Sequence, residues 1–213
     1  MKENLSFFDF HYHSGQKFGI KNWNFEDGFP ENDLLFSVGI HPNQVTKNLE
    51  MPLKLVTEMA TSPNCVAIGE CGLDGLITVS EDLQKKAFHL QIDLANKLKK
   101  PLIIHCVRRF QEIIDAKGLS ETPLIIHGFN RKKELADRLF NDGFYLSFGK
   151  ALLRNVSLQQ ILKSAPADRF FLETDAADLD IAELYGVAAQ CRQISEDELA
   201  TQMFENFEKI TNP

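Results

Sequence analysis

Eight short runs rich in β-branched and aromatic residues recur along the chain, and from the third onward nearly every one is followed by a longer amphipathic segment. Strands that are apolar on both faces need cover on both, and helical crossovers supply it, so the pattern predicts parallel strands wrapped by helices. The runs lie at 5–10, 18–23, 34–40, 65–70, 101–106, 123–128, 144–148 and 169–174. Helical patterns fall at about 48–61, 81–99, 109–117, 131–142, 151–164, 178–192 and 196–210. The first two links carry none: Ser14 to Lys17, and the polar NFEDGFPEND of 24–33, join their strands directly. Eight strands in 213 residues predict a compact (β/α)8 TIM-type barrel without helices after the first two strands, with an open doubly wound sheet as the alternative. No linker or low-complexity stretch divides the chain, which reads as one domain over 1–213.

Composition narrows the class. With 44% hydrophobic and 25% charged residues the chain has the balance of a soluble protein, and no run approaches the roughly 20 apolar residues of a membrane span. The start, MKENLSFFDFHYH, places Asp and His where a signal peptide needs its apolar core, so a cytoplasmic location is expected, without a membrane partner. The four cysteines (Cys65, Cys71, Cys106, Cys191) form no CxxC pair and read as reduced residues. A net charge of −7 argues against a large nucleic-acid footprint but leaves room for a locally basic site.

The chemistry sits at strand ends. The pentapeptide PLIIH occurs at 101–105 and again at 123–127, and alternation along a strand puts Ile103 with His105 and Ile125 with His127. Both histidines end their strands, where a barrel carries its active site. In FFDFHYH, the residues Asp9, His11 and His13 alternate on one face, a comb able to aim two imidazoles at one metal ion, with Asp9 behind them as an acceptor that fixes a histidine's tautomer. Glu70 and Asp175 follow apolar runs and are buried acids in need of partners. Four histidines and two acids suffice for two divalent ions with a bridging carboxylate, and zinc, manganese and magnesium all suit such ligands.

In chain order, DFHYH (9–13), VGIHP (38–42), AIGECGLD (67–74), QKKAFHLQ (84–91), PLIIHC (101–106), LIIHGF (124–129), GFYLSFG (143–149) and LETD (172–175) resemble the TatD-like metal-dependent hydrolases and deoxyribonucleases of the amidohydrolase superfamily. The resemblance implies a β/α barrel with a two-metal centre, in which His11, His13, Glu70 and Asp175 serve one ion and Glu70, His105 and His127 the other. It also implies that Asp175 transfers the proton and that the substrate is DNA. The sequence departs from the family pattern at Ala176 and Ala177 after LETD, at Gly75 and Leu76 after GLD, and at Val107 where an arginine is usual. None of these is an expected ligand.

Cations follow the later strands: Arg108 and Arg109, then Arg131, Lys132 and Lys133, then Lys150 and Arg154. Cations at helix starts oppose the helix dipole, so a phosphate-binding rim is expected, with Arg109 and Lys132 as its substrate contacts. His41, after the third strand, is a further candidate for touching substrate, or the start of a turn with Pro42. Glu173 shares a strand face with Asp175 and is expected either to support the metal shell or to salt-bridge an arginine, while His89 lies within a helix and is structural. The expected function is a two-metal phosphodiesterase, most simply a deoxyribonuclease acting as a monomer without an obligate protein partner. The alternatives are a small-molecule amidohydrolase or esterase on the same scaffold and a catalytically dead binding protein, which a basic rim and bound metal, respectively, discriminate.

Overall fold

The computed structural model describes residues 7–15, 17–30 and 34–212. Its strands are β1 (Asp9–Tyr12), β2 (Gly19–Trp23), β3 (Phe36–Val38), β4 (Cys65–Asp74), β5 (Leu102–Val107), β6 (Leu124–Ile126), β7 (Tyr145–Phe148) and β8 (Phe170–Leu172). Its helices are α1 (Glu50–Ala60), α2 (Glu81–Leu98), α3 (Phe110–Asp115), α4 (Lys133–Asn141), α5 (Val156–Ser164), α6 (Ile181–Arg192) and α7 (Glu196–Thr211). The fold is a (β/α)8 barrel, with its strands in chain order. Two compact units divide the chain, Ile20–His127 and the pair of segments Met1–Gly19 and Gly128–Asn212.

Within Ile20–His127 the strands pair in parallel from β2 through β6. Leu102, Ile103 and Ile104 of β5 and Leu124, Ile125 and Ile126 of β6 are buried, as two-sided apolar strands under helices must be. β4 runs four residues past Glu70, where the sequence pattern ends it, because Gly-Leu-Asp has the composition of a turn. Cys71 to Asp74 instead continue the ladder opposite Ile104 to Val107, beyond a register shift. Gly72 makes that extension possible: its φ is 139°, and a Cβ there would run into the His105 carbonyl oxygen. Among the described residues between β2 and β3 a 3-10 turn, Phe25–Asp27, is capped by Asn24, and no α-helix is found there, in line with expectation. Positions 31–33 of that link lie outside the described residues, as do Gln16 of the first link and positions 5 and 6 of the expected first strand.

In the other unit β7 pairs with β8, and β1 meets the chain after β8 through a parallel bridge between Tyr12 and Asp175. Phe10 stacks on Phe171 at 4.0 Å between centroids, and Tyr185 donates its hydroxyl proton to the Phe8 carbonyl, so α6 closes over β1. The helix expected at 151–164 is divided: a 3-10 turn covers Lys150–Leu153, and Asn155 restarts the chain as the N-cap of α5, accepting from the Ser157 and Leu158 amides. At the other end of α5, Arg192 donates to the carbonyls of Leu162, Lys163 and Ala165. Arg192→Ala is expected to lower the unfolding free energy by about 1.5–3 kcal/mol, the value of hydrogen bonds from a charged group. A denaturant melt with an unchanged m-value checks it. Among the described residues no helix is long and apolar enough to cross a membrane.

Candidate metal centre

Glu70, on β4 in the Ile20–His127 unit, is 5% exposed and gathers three histidines. Its Oε1 lies 2.8 Å from His105 Nδ1, 2.8 Å from His127 Nε2 and 3.4 Å from His41 Nε2. Its other oxygen accepts from Asn22 Nδ2 at 3.3 Å, and its amide donates to Asn22 Oδ1 at 3.2 Å. His105 also meets a second acid, with Nε2 3.1 Å from Asp74 Oδ2. Asn22 and Asp74 were not singled out from sequence. The signal for Asp74 was the GLD that follows Glu70, hidden by ending the strand four residues early.

His41 starts the turn with Pro42, one of the two parts expected of it. It caps the 3-10 turn Pro42–Gln44 by accepting from the Asn43 amide, and its other nitrogen faces Glu70. Burial pulls its pKa down, but the hydrogen bond and charge of Glu70, helped by Asn43, leave it raised. Donor atoms of His41, Glu70 and His105 all fall within 4.8 Å of one another.

The other unit holds the remaining expected ligands. Asp175 follows β8 with a left-handed φ of 53°, a conformation that Asp tolerates better than most residues. Its amide donates to the His11 carbonyl at 2.8 Å and its carbonyl accepts from the His13 amide at 3.2 Å. The carboxylate turns back over the same strand, 3.2 Å from His13 Nε2 and 3.9 Å from His11 Nε2. His11 is fully buried, whereas the side chain of Asp175 is 43% exposed.

Asp9 has a different part from the one expected of it. Its carboxylate accepts from the Thr174 amide at 2.9 Å, from the Thr174 hydroxyl at 2.6 Å and from Lys17 Nζ at 3.2 Å, not from a histidine. Thr174 stands beside Asp9 because the ladder sets Tyr12 against Asp175. Asp9 therefore fixes the register of the histidine strand against the acid loop. Burial raises its pKa despite those hydrogen bonds and the charge of Lys17. Glu173 accepts the Gly128 amide at 2.7 Å through Oε1 and so supports the loop after β6.

Two glutamines of α2, one helical face apart by seven residues, hold the strand ends of their unit. Gln84 bonds both backbone groups of Asp74, and Gln91 both backbone groups of Ile40, next to His41. His89 of the same helix is exposed and takes no part in these hydrogen bonds.

The rim differs from expectation at Arg109. Its guanidinium pairs with Glu81 at 2.9 Å and Glu112 at 3.1 Å, which ties the starts of α2 and α3 together. Gly75 fits this arrangement, since a Cβ there would sit 3.1 Å from Arg109 Nε. Lys133 is likewise paired, with Asp137. Lys132, Lys150 and Arg154 are exposed, and among the described residues none of them forms an ion pair. Among the described residues the four cysteines form no disulfide, and burial pushes the Cys65 thiol up to about 11, so it is inert at neutral pH.

The residues fit divalent metal. A neutral imidazole has one proton for two nitrogens, yet both nitrogens of His105 face carboxylate oxygens, so one lone pair opposes an anion unless a cation lies between them. Imidazole nitrogen with carboxylate oxygen is a donor set for zinc or manganese.

Comparison with known proteins agrees. The model of the TatD related DNase family matches residues 23–212. An uncharacterized metal-dependent hydrolase of Buchnera aphidicola is 30% identical over 199 residues, covering 84% of this chain and 75% of that protein. The uncharacterized metal-dependent hydrolase YabD of Bacillus subtilis is 31% identical, covering 68% and 60%. A 3'-5' ssDNA/RNA exonuclease TatD of a Rahnella species is 34% identical, covering 66% and 56%. The chain thus spans less than two thirds of the length of the Bacillus and Rahnella proteins. Among solved structures, a TatD homologue from Escherichia coli K12 superposes with a TM-score of 0.78 at 20% identity, covering 97% of this chain and 98% of that one. A TatD family hydrolase from Entamoeba histolytica gives 0.79 at 16%, covering 98% of each, and both likenesses speak for the fold. With a match running from Trp23 almost to its last residue, this chain belongs to the TatD related DNase family.

Proposed function

We propose that the chain is a divalent-metal-dependent hydrolase that cleaves phosphodiester bonds in single-stranded nucleic acid, working as one domain over 1–213. The observation that carries this reading is Glu70, a buried carboxylate with one oxygen facing three imidazole nitrogens. Family membership and the exonuclease name of the Rahnella relative support the substrate class. In this reading His11, His13, Glu70 and Asp175 hold one ion and Glu70, His105 and His127 a second, the ions being zinc, manganese or magnesium. Bound divalent ions supply Lewis-acid polarisation of a phosphoryl oxygen and lower the pKa of water.

The chain's own residues do the rest. Asp175, partly exposed and set beside His13, takes the proton of the attacking water and returns it to the leaving oxygen. Asn22 grips the oxygen and amide of Glu70, so the carboxylate keeps its orientation. His41, held by the Asn43 amide at one nitrogen, keeps its other nitrogen toward Glu70 and so helps to orient the carboxylate. The enzyme acts in the cytoplasm as a monomer.

A metal-titrated screen over single-stranded DNA, duplex DNA, RNA and small esters tests the assignment. Cleavage of single strands that depends on added metal and stops with chelator is the expected result. Hydrolysis of small esters or amides alone would move the chain to the amidohydrolase alternative.

Rim cations give a second test. Lys132→Ala with Arg154→Ala should raise KM for an oligonucleotide, and the slope of log binding constant against log salt should shrink by about 0.7 for each single-strand phosphate that is no longer neutralised. Turnover of a small neutral ester should stay unchanged. An equal response of the two substrates would remove these cations from the substrate path.

A further inference from the structure

His105 offers two nitrogens to two acids, and only one of them can carry the proton of a neutral ring. Nδ1 lies 2.8 Å from Glu70 Oε1 and Nε2 lies 3.1 Å from Asp74 Oδ2. Which acid receives the proton decides which nitrogen keeps its lone pair.

The surroundings of Asp74 differ from those of Glu70. Asp74 Oδ1 is already occupied by the Leu76 amide at 2.8 Å, leaving Oδ2 for His105. The backbone of Asp74 is held at both groups by Gln84, which is 3% exposed: Gln84 Oε1 accepts the Asp74 amide at 2.8 Å, and Nε2 donates to the Asp74 carbonyl at 3.1 Å and the Val79 carbonyl at 2.8 Å. The ladder sets Asp74 opposite Val107, and the Gly75 amide bonds the Val107 carbonyl at 2.8 Å. Among the described residues no cationic Lys or Arg pairs with Asp74. One oxygen of a fixed carboxylate is therefore dedicated to one imidazole nitrogen. Glu70 Oε1, by contrast, is shared among three rings.

We propose that Asp74, held in place by Gln84, is a positioning residue that keeps the proton of His105 on Nε2 and leaves the Nδ1 lone pair turned toward Glu70. This rests on the reading above, in which His105 is a metal ligand. A carboxylate behind a ligand histidine fixes its tautomer and ring orientation and raises its basicity. The same part was expected of Asp9, and the extension of β4 brings another acid to it.

Two-bond proton–nitrogen spectra of the metal-free, histidine-labelled full chain, above the usual imidazole titration range, should show His105 as the Nε2–H tautomer. On titration with zinc, Nε2 should stay protonated while the Nδ1 resonance moves. Asp74→Asn can present either an oxygen or an NH2 group to the ring, so the tautomers should mix and manganese affinity should fall about 10–100-fold. Gln84→Leu should weaken manganese binding in the wild-type background and add nothing to Asp74→Asn, whereas a merely structural effect would add in full. Gln84→Met serves the same cycle if the leucine variant does not fold. An Nδ1–H tautomer, an Asp74→Asn chain with undiminished affinity, or additive double mutants would overturn the proposal. His105→Ala with unchanged manganese affinity would instead remove the underlying assignment of His105 as a ligand.

Discussion

Asp175→Asn should lower turnover by about 10²–10⁴-fold, the range assigned to a positioned acid–base group, while leaving the fold intact. Asparagine suits the left-handed φ of 53° at this position, and its backbone can keep the two hydrogen bonds that join residue 175 to His11 and His13. The amide oxygen still offers a lone pair but no longer accepts the proton of the attacking water. Single-turnover rates on an oligonucleotide, set beside manganese affinity, separate the two effects. Near-normal turnover would take the proton-transfer role away from Asp175.

Glu70→Gln should have the larger effect on metal. The carboxylate is the common neighbour of His41, His105 and His127, and a carboxamide presents one acceptor oxygen and no negative charge. Asn22 can still bond the new side chain, so the substitution tests charge rather than packing. Manganese affinity should drop by more than the roughly 10–100-fold typical of losing a residue behind the ligands, and metal-dependent hydrolysis should vanish with it. Calorimetric titration measures the first, and a substrate assay at saturating metal the second.

The fold and the placing of the candidate ligands at strand ends were legible because they rest on local patterns. Two-residue alternation placed His105 with Ile103, and the missing helical period at 14–33 marked the links in which the described residues carry no α-helix. Positions set by neighbouring strands were harder to read. Asp74 looks like turn sequence after Gly72, and only the ladder with β5 carries it to His105. Asp9 alternates with His11 and His13 as expected, yet its partner is settled by the pairing of Tyr12 with Asp175, which brings Thr174 alongside it. The Arg109 guanidinium reads as a rim charge until Glu81, 28 positions earlier, is found beside it. Long-range pairing of this sort has no periodic signature in the sequence.

Anomalous scattering from zinc-loaded crystals decides the proposed two-ion assignment. Under that proposal two peaks are expected, one at His11, His13 and Asp175 and the other at His105 and His127. A map with no ordered ion at these residues, or with a single ion bound away from Glu70, would contradict it.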